Sequence, residues 1–232
     1  MKVERSLSLI FGLALVAIGA ISLLGNTLLT LQAWRLWPLT VILAGIALTI
    51  PGFFGLKQRG FGSFFIPGIP LLTTGGILML ASLLDNWEIW ALAWPLEVIG
   101  LALGFALAAI FMRVAGLAIP AIIIGVNGLV LAFCNLTGLW AAWALLWPVE
   151  PLSVGLGLLV VGFVNRSAGA KLAGMILTGI AGAGFFIASF ISVFNDSVLR
   201  FAVPAMLVLS GLVLVGAQWF KREEPTPGEI VE

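Results

Sequence analysis

Apolar runs of about twenty residues recur along this chain, with so little polar sequence between them that a soluble fold could not bury them all. Crossing ~30 Å of hydrocarbon takes about 20 helical residues. Eight runs qualify: 7–26, 37–56, 66–84, 94–112, 117–136, 147–165, 172–194 and 200–220. A backbone in lipid must satisfy its own polar groups, and these runs lack the alternation of barrel strands, so each is expected to be a helix. Composition agrees. Of 232 residues 62% are hydrophobic and 9% charged, with a mean hydropathy of +1.21, whereas soluble domains carry about 25% charged residues.

The runs are organised by a repeat. Trp94-Pro95-Leu96-Glu97 returns as Trp147-Pro148-Val149-Glu150, with a reduced copy at Trp37-Pro38-Leu39-Thr40 and a worn one at Val203-Pro204-Ala205-Met206. The four prolines stand 57, 53 and 56 residues apart, which marks tandem units of two helices each. The expected fold is therefore an all-α membrane protein of eight transmembrane helices arranged as four tandem hairpins. One transmembrane domain covers 1–220, with repeats at about 6–60, 61–116, 117–168 and 169–220. The polar end, 221–232, contains Pro225 and Pro227 and reads as a disordered cytoplasmic tail. The opening Lys2, Arg5 and apolar run resemble a secretory signal, but this segment is needed as the first helix of repeat one and is expected to remain uncleaved.

Each repeat follows one plan. Its first helix is expected to close at an asparagine (Asn26, Asn86, Asn135, Asn195), a residue that tolerates the left-handed conformation. A tryptophan-rich connection follows, and proline opens the second helix, where a missing N–H costs nothing. That helix runs to a basic residue: Lys57, Arg113, Arg166 or Lys221. Pro67 and Pro70 are expected to open the third helix, and Pro51-Gly52 to kink or loosen the second.

The basic residues set the orientation. Lys2, Arg5, Lys57, Arg59, Arg113, Arg166, Lys171, Lys221 and Arg222 fall at one side of the spans, and only Arg35 and Arg200 at the other. Nine against two in short loops places both termini in the cytoplasm and the Trp-Pro segments outside. Trp34, Trp37, Trp87, Trp90, Trp94, Trp140, Trp143 and Trp147 then form an outer interfacial belt. Trp87, Trp90 and Trp94, like Trp140, Trp143 and Trp147, share one face of a short helix in the headgroup layer, where indole is at home.

Little catalytic chemistry survives this composition. The chain has no histidine and one cysteine, Cys134, so His-dependent triads, imidazole-ligated metals or haem, and an internal disulfide are excluded. Cys134 has no basic neighbour and is expected to be an inert apolar residue. No catalytic, metal-binding or cofactor-binding residue is expected, and a net charge of +1 gives no reason to expect a nucleic-acid partner. Three polar residues stand out as candidate contacts for a ligand or ion. Glu97 and Glu150 lie two residues after their prolines, at the outer interface; a carboxylate in a first helical turn is favoured by backbone N–H groups and the helix dipole. Asn127 is expected to be the most buried polar side chain, with Ile18, Leu78 and Ile187 as its apolar equivalents, and to make one interhelical hydrogen bond. No acid is expected at mid-span, which weighs against pumps and carriers. Gly100 and Gly104, Gly125 and Gly128, and Gly179, Gly182 and Gly184 stand at helix-packing spacings.

The unit of a helix with spaced glycines (Gly12, Gly19), a Leu-Leu-Gly/Asp-Asn end (Leu23 to Asn26, Leu83 to Asn86), a loop, Trp-Pro, and a second helix with an early glycine (Gly45, Gly100) resembles the LiaI/LiaF-like transmembrane region. The likeness is clearest in repeats one and two. That resemblance implies a bacterial inner-membrane protein without catalysis, a structural or regulatory partner that restrains other membrane proteins in the envelope-stress response. The 232 residues contain no counterpart of the soluble C-terminal domain of LiaF-type proteins. An HdeD-type acid-resistance membrane protein is the second resemblance. Two alternatives of another class stay open: a small channel or carrier with an acidic outer vestibule, and an accessory subunit of a larger membrane complex.

Overall fold

The computed structural model describes residues 12–13, 15–21, 23–24, 33–54, 59–193 and 198–221, and every regular element among them is helical. Seven long helices run through them: α1 (Leu39–Phe54), α2 (Phe65–Leu84), α3 (Pro95–Met112), α4 (Ala118–Thr137), α5 (Val149–Val164), α6 (Ala168–Ser192) and α7 (Leu199–Lys221). With their flanking turns, six are long and apolar enough to cross a membrane. A seventh span results if Trp140–Leu146 and Val149–Val164, bent by 59°, are taken as one. The described residues between 12 and 24 are helical as well. The rest of the expected first span lies outside the described residues, as do Lys2, Arg5, Asn26, Lys57, Asn195, Asp196 and 222–232.

Two local expectations fail for instructive reasons. Among the described residues, α2 and α4 are not closed by asparagines. Asp85 takes the left-handed conformation (φ 51°) after α2, and Gly138 (φ 71°) does so after α4. Asn135 lies inside α4, and Asn86 works forward: its Oδ1 accepts the Glu88 N–H at 3.0 Å and starts the next short helix. Left-handed closure recurs at Arg113 (φ 56°) and Arg166 (φ 51°), so the basic residues themselves end α3 and α5. Pro70 does not open α2 but sits inside it, and α1 runs through Pro51 to Phe54. Helix α6 starts at Ala168, four residues before the expected 172, because Ser167 caps it with its hydroxyl oxygen accepting the Ala170 N–H.

The chain divides into two compact units, 1–112 and 113–232. In the first, α1 packs on α2 and α2 on α3. Glycines set the spacing: a Cβ at Gly75 would stand 2.9 Å from the Ile42 backbone nitrogen, and one at Gly45 equally close to that of Leu72. Without a hydrophobic force between helices in lipid, such close backbone approach supplies the van der Waals contact that holds them together. Phe65 is fully buried beneath this seam, with the Phe53 and Phe111 rings each 4.9 Å away.

In the second unit α4, α5, α6 and α7 pack each on the next. The α5–α6 seam repeats the device with Gly155 and Gly174 face to face; a Cβ on Gly174 would lie 2.8 Å from the Gly155 carbonyl oxygen. Gly155 stands 110 residues after Gly45 and Gly162 the same distance after Gly52, as Pro148 does after Pro38, so close-packed glycines fall at matching positions of the two units. Val149, Phe185 and Val203, all fully buried, bring the Trp-Pro ends of α5, α6 and α7 into one core, with Cys134 of α4 buried beside them. Of the glycines expected at packing contacts, Gly100, Gly104 and Gly184 make them. Gly179 faces open space, and the nearest atom to a Cβ at Gly182 would be 3.7 Å away.

Candidate functional site

The three polar candidates resolve into two equivalent contacts, one per unit. In the first unit, Thr74 on α2 donates its hydroxyl to Glu97 Oε2 at 2.7 Å, and Thr73 Oγ1 lies 3.4 Å from the same oxygen. In the second, the Asn127 amide on α4 donates to Glu150 Oε2 at 3.2 Å and to the Ile123 carbonyl at 3.0 Å. Both pairs span 23 residues. Thr74 is a partner of Glu97 that its sequence pattern does not single out, and the position matching Asn127 differs from the expected Leu78. Aligning hairpins on their asparagines sets Asn127 over Leu78, whereas aligning on Pro95 and Pro148, or on the left-handed Asp85 and Gly138, sets it over Thr74.

Position along the helix is the second finding. Thr74 is the tenth of the 20 residues of α2, and Asn127 the tenth of the 20 of α4. At 1.5 Å per residue each lies about 15 Å from either end of its helix. The carboxylates that meet them therefore stand beside the midpoints of α2 and α4, although each belongs to the first turn of its own helix. The cause is the path of the Trp-rich connection. The short helix Glu88–Ala93 packs back against α2, and Trp140–Leu146 meets α5 at 59°, so proline opens the next helix partway along the hairpin. Trp147 follows the same course, its ring edge 3.2 Å from where a Cβ of Gly184 would be. Trp34, Trp37, Trp87, Trp140 and Trp147 are about half exposed, while Trp90, Trp94 and Trp143 are half-buried.

Local sequence builds each contact. Glu97 lies in the first turn of α3, and Gly100 one turn later presents no side chain to Thr73; a Cβ there would stand 2.6 Å from Thr73 Oγ1. Thr73 bonds the Pro70 carbonyl at 2.9 Å, which leaves Thr74 as the hydroxyl committed to the acid. The two sites differ at these positions, since Gly100 and Thr73 correspond to Ser153 and Val126. Ser153 is fully buried and donates to the Glu150 carbonyl. Glu97 is half-buried and its Oε1 is buried without a hydrogen-bond partner, whereas Glu150 is exposed.

Asn127 is not the most buried polar side chain. Thr178, Ser153, Ser192 and Ser210 are fully buried, and Asn127 only partly so. A hydroxyl can return its proton to the carbonyl three or four residues back, as Thr178 does to Gly174, so it is buried at little cost. An amide cannot be satisfied so locally and turns to the next helix. Arg35, one of the two basic residues at the Trp-Pro side, is also accounted for. It pairs with Asp85 at 2.7 Å, and its carbonyl accepts the Ser82 hydroxyl. Among the described residues no three His, Cys, Asp or Glu side chains are grouped to hold a metal ion.

Compared with known proteins, the chain matches no family model, no curated protein and no solved structure.

Proposed function

We propose that this chain is a non-catalytic, eight-span protein of a bacterial plasma membrane, with both termini cytoplasmic, that serves as a structural or regulatory partner of other membrane proteins. One observation carries this reading. Each acid at a Trp-Pro break is held by a residue of its own hairpin, at the same separation of 23 residues. A carboxylate in an apolar bundle is expensive unless partnered. Here the partner belongs to the fold, so the contact closes the hairpin as a clasp. Helical residues between 12 and 24 supply the eighth span, and the basic residues at the far ends of α3 and α5 favour the cytoplasmic side for those ends. The LiaI/LiaF-like pattern of the hairpins supports work done by holding partners, and an envelope-stress role in particular.

Purification of the whole chain in mild detergent, followed by mass spectrometry, tests the proposal. A membrane-protein partner recovered reproducibly supports it, and a fixed stoichiometry within a larger assembly assigns the chain as an accessory subunit. Recovery of the chain alone, together with solute flux in proteoliposomes, overturns it.

A second reading has one observation of its own. Glu97 Oε1 is buried and unpartnered at the midpoint of α2, beside two threonine hydroxyls, an arrangement that suits a small channel or carrier handling a cation or proton. Flux that disappears in the Glu97→Gln, Glu150→Gln double variant would establish that reading in place of the first.

A further inference from the structure

At the end of the second unit away from the Trp-Pro breaks, α4, α5 and α7 do not close on one another. They leave a groove of about 420 Å³ whose walls include Ile122, Leu156, Leu159, Phe163, Val213 and Gly216. The lining is almost wholly apolar, and a Cβ on Gly216 would meet no atom within 4 Å, so the groove is open there for want of a side chain. Its end is marked by charge. The ammonium of Lys171 stands 5.2 Å from the centre of the Phe163 ring, which itself lines the groove. It is brought there by Gly162, where a Cβ would stand 2.7 Å from the Lys171 backbone nitrogen; the close approach lays the lysine stem along the last turn of α5. Arg166, exposed and in the left-handed conformation, follows the end of α5 three residues after Phe163. Among the described residues of this unit the one acid is Glu150, at the opposite end of α5.

An apolar slot running along membrane-spanning helices, with cations at its mouth and no acid there among the described residues, is complementary to one class of molecule. We infer that the groove binds an anionic phospholipid, one acyl chain lying between α4, α5 and α7 and the phosphate facing Lys171 and Arg166. Basic residues next to a membrane-spanning helix attract anionic headgroups, and the acyl chain adds van der Waals contact with the groove walls. The inference needs a chain embedded in lipid, and it is independent of the partner role proposed above.

The test is native mass spectrometry of the full chain, stripped of lipid in detergent and titrated with phosphatidylglycerol or phosphatidylcholine. One phosphatidylglycerol per chain is expected to remain at detergent levels that remove phosphatidylcholine. Gly216→Leu puts a side chain into the groove from a Cβ position that meets no atom within 4 Å, and should abolish that retention. Gly211→Leu, on the same helix and likewise facing open space, lies outside the groove lining and should leave it unchanged. Lys171→Gln keeps the stem and removes the charge, and should cut the preference for phosphatidylglycerol about fivefold. Equal retention of the two lipids, or undiminished retention in Gly216→Leu, overturns the inference. Either result leaves the partner proposal standing, because that rests on co-purification.

Discussion

The Asn127 side-chain amide donates to Glu150 Oε2 at 3.2 Å across 23 residues, the separation that also joins Thr74 to Glu97. A polar residue at mid-helix and an acid just past a proline break thus form one element, used in the two middle repeats. In the first and fourth, Thr40 and Met206 replace the acid. If the contact clasps its hairpin, Asn127→Leu lowers stability by about 1 kcal/mol, between the ~0.6 kcal/mol of an ordinary interhelical bond and the ~1.5–3 kcal/mol of a bond to a charged group. A double-mutant cycle with Glu150→Gln, read by reversible unfolding in mixed micelles, should give a coupling of about 0.5–1 kcal/mol. Strict additivity would remove the clasp from the account.

The glycines divide sharply into two kinds. Gly174→Ala drives a methyl group against the Gly155 carbonyl and the Leu159 backbone nitrogen, and overpacking of this sort costs about 1–3 kcal/mol. Gly179, on the same helix, has nothing within 4 Å of its Cβ position. Gly179→Ala should therefore stabilise by up to ~1 kcal/mol through helix propensity alone. Thermal unfolding of the two variants in one detergent decides the matter, and equal effects would refute the close α5–α6 seam.

Arg166 holds a left-handed φ of 51°, which costs an L-residue with a Cβ about 1–2 kcal/mol. Arg166→Gly and Arg166→Ala both remove the charge, and only the glycine relieves the backbone. The glycine variant should be more stable than the alanine variant by about 1 kcal/mol. Matched melting temperatures would mean that another residue closes α5.

Orientation can be read with a thiol reagent that does not cross membranes. Cys134 is fully buried and leaves a quiet background. Single cysteines in Gln58→Cys and Ala168→Cys should react only from the cytoplasmic side, and Asn86→Cys only from the outer side. Labelling of Ala168→Cys from outside would invert the topology, and with it the leaflet in which the lipid groove lies.

The sequence by itself was enough for the helical class and for the positions of the long helices among the described residues. Apolar runs, prolines and charge asymmetry are local or additive signals, and a chain in lipid has few ways to satisfy its backbone. It also marked Glu97, Glu150 and Asn127 as candidates. What only the tertiary structure decided was how these residues meet. Asp85 and Gly138 rather than asparagines close α2 and α4, and that change of register by a few residues makes Thr74, not Leu78, the equivalent of Asn127. The course of the Trp-rich helices brought both acids beside the midpoints of α2 and α4. Such facts depend on which residue takes the left-handed turn and on how closely two backbones approach. Both are settled by packing between helices that are distant in sequence, where a single glycine such as Gly174 sets the distance.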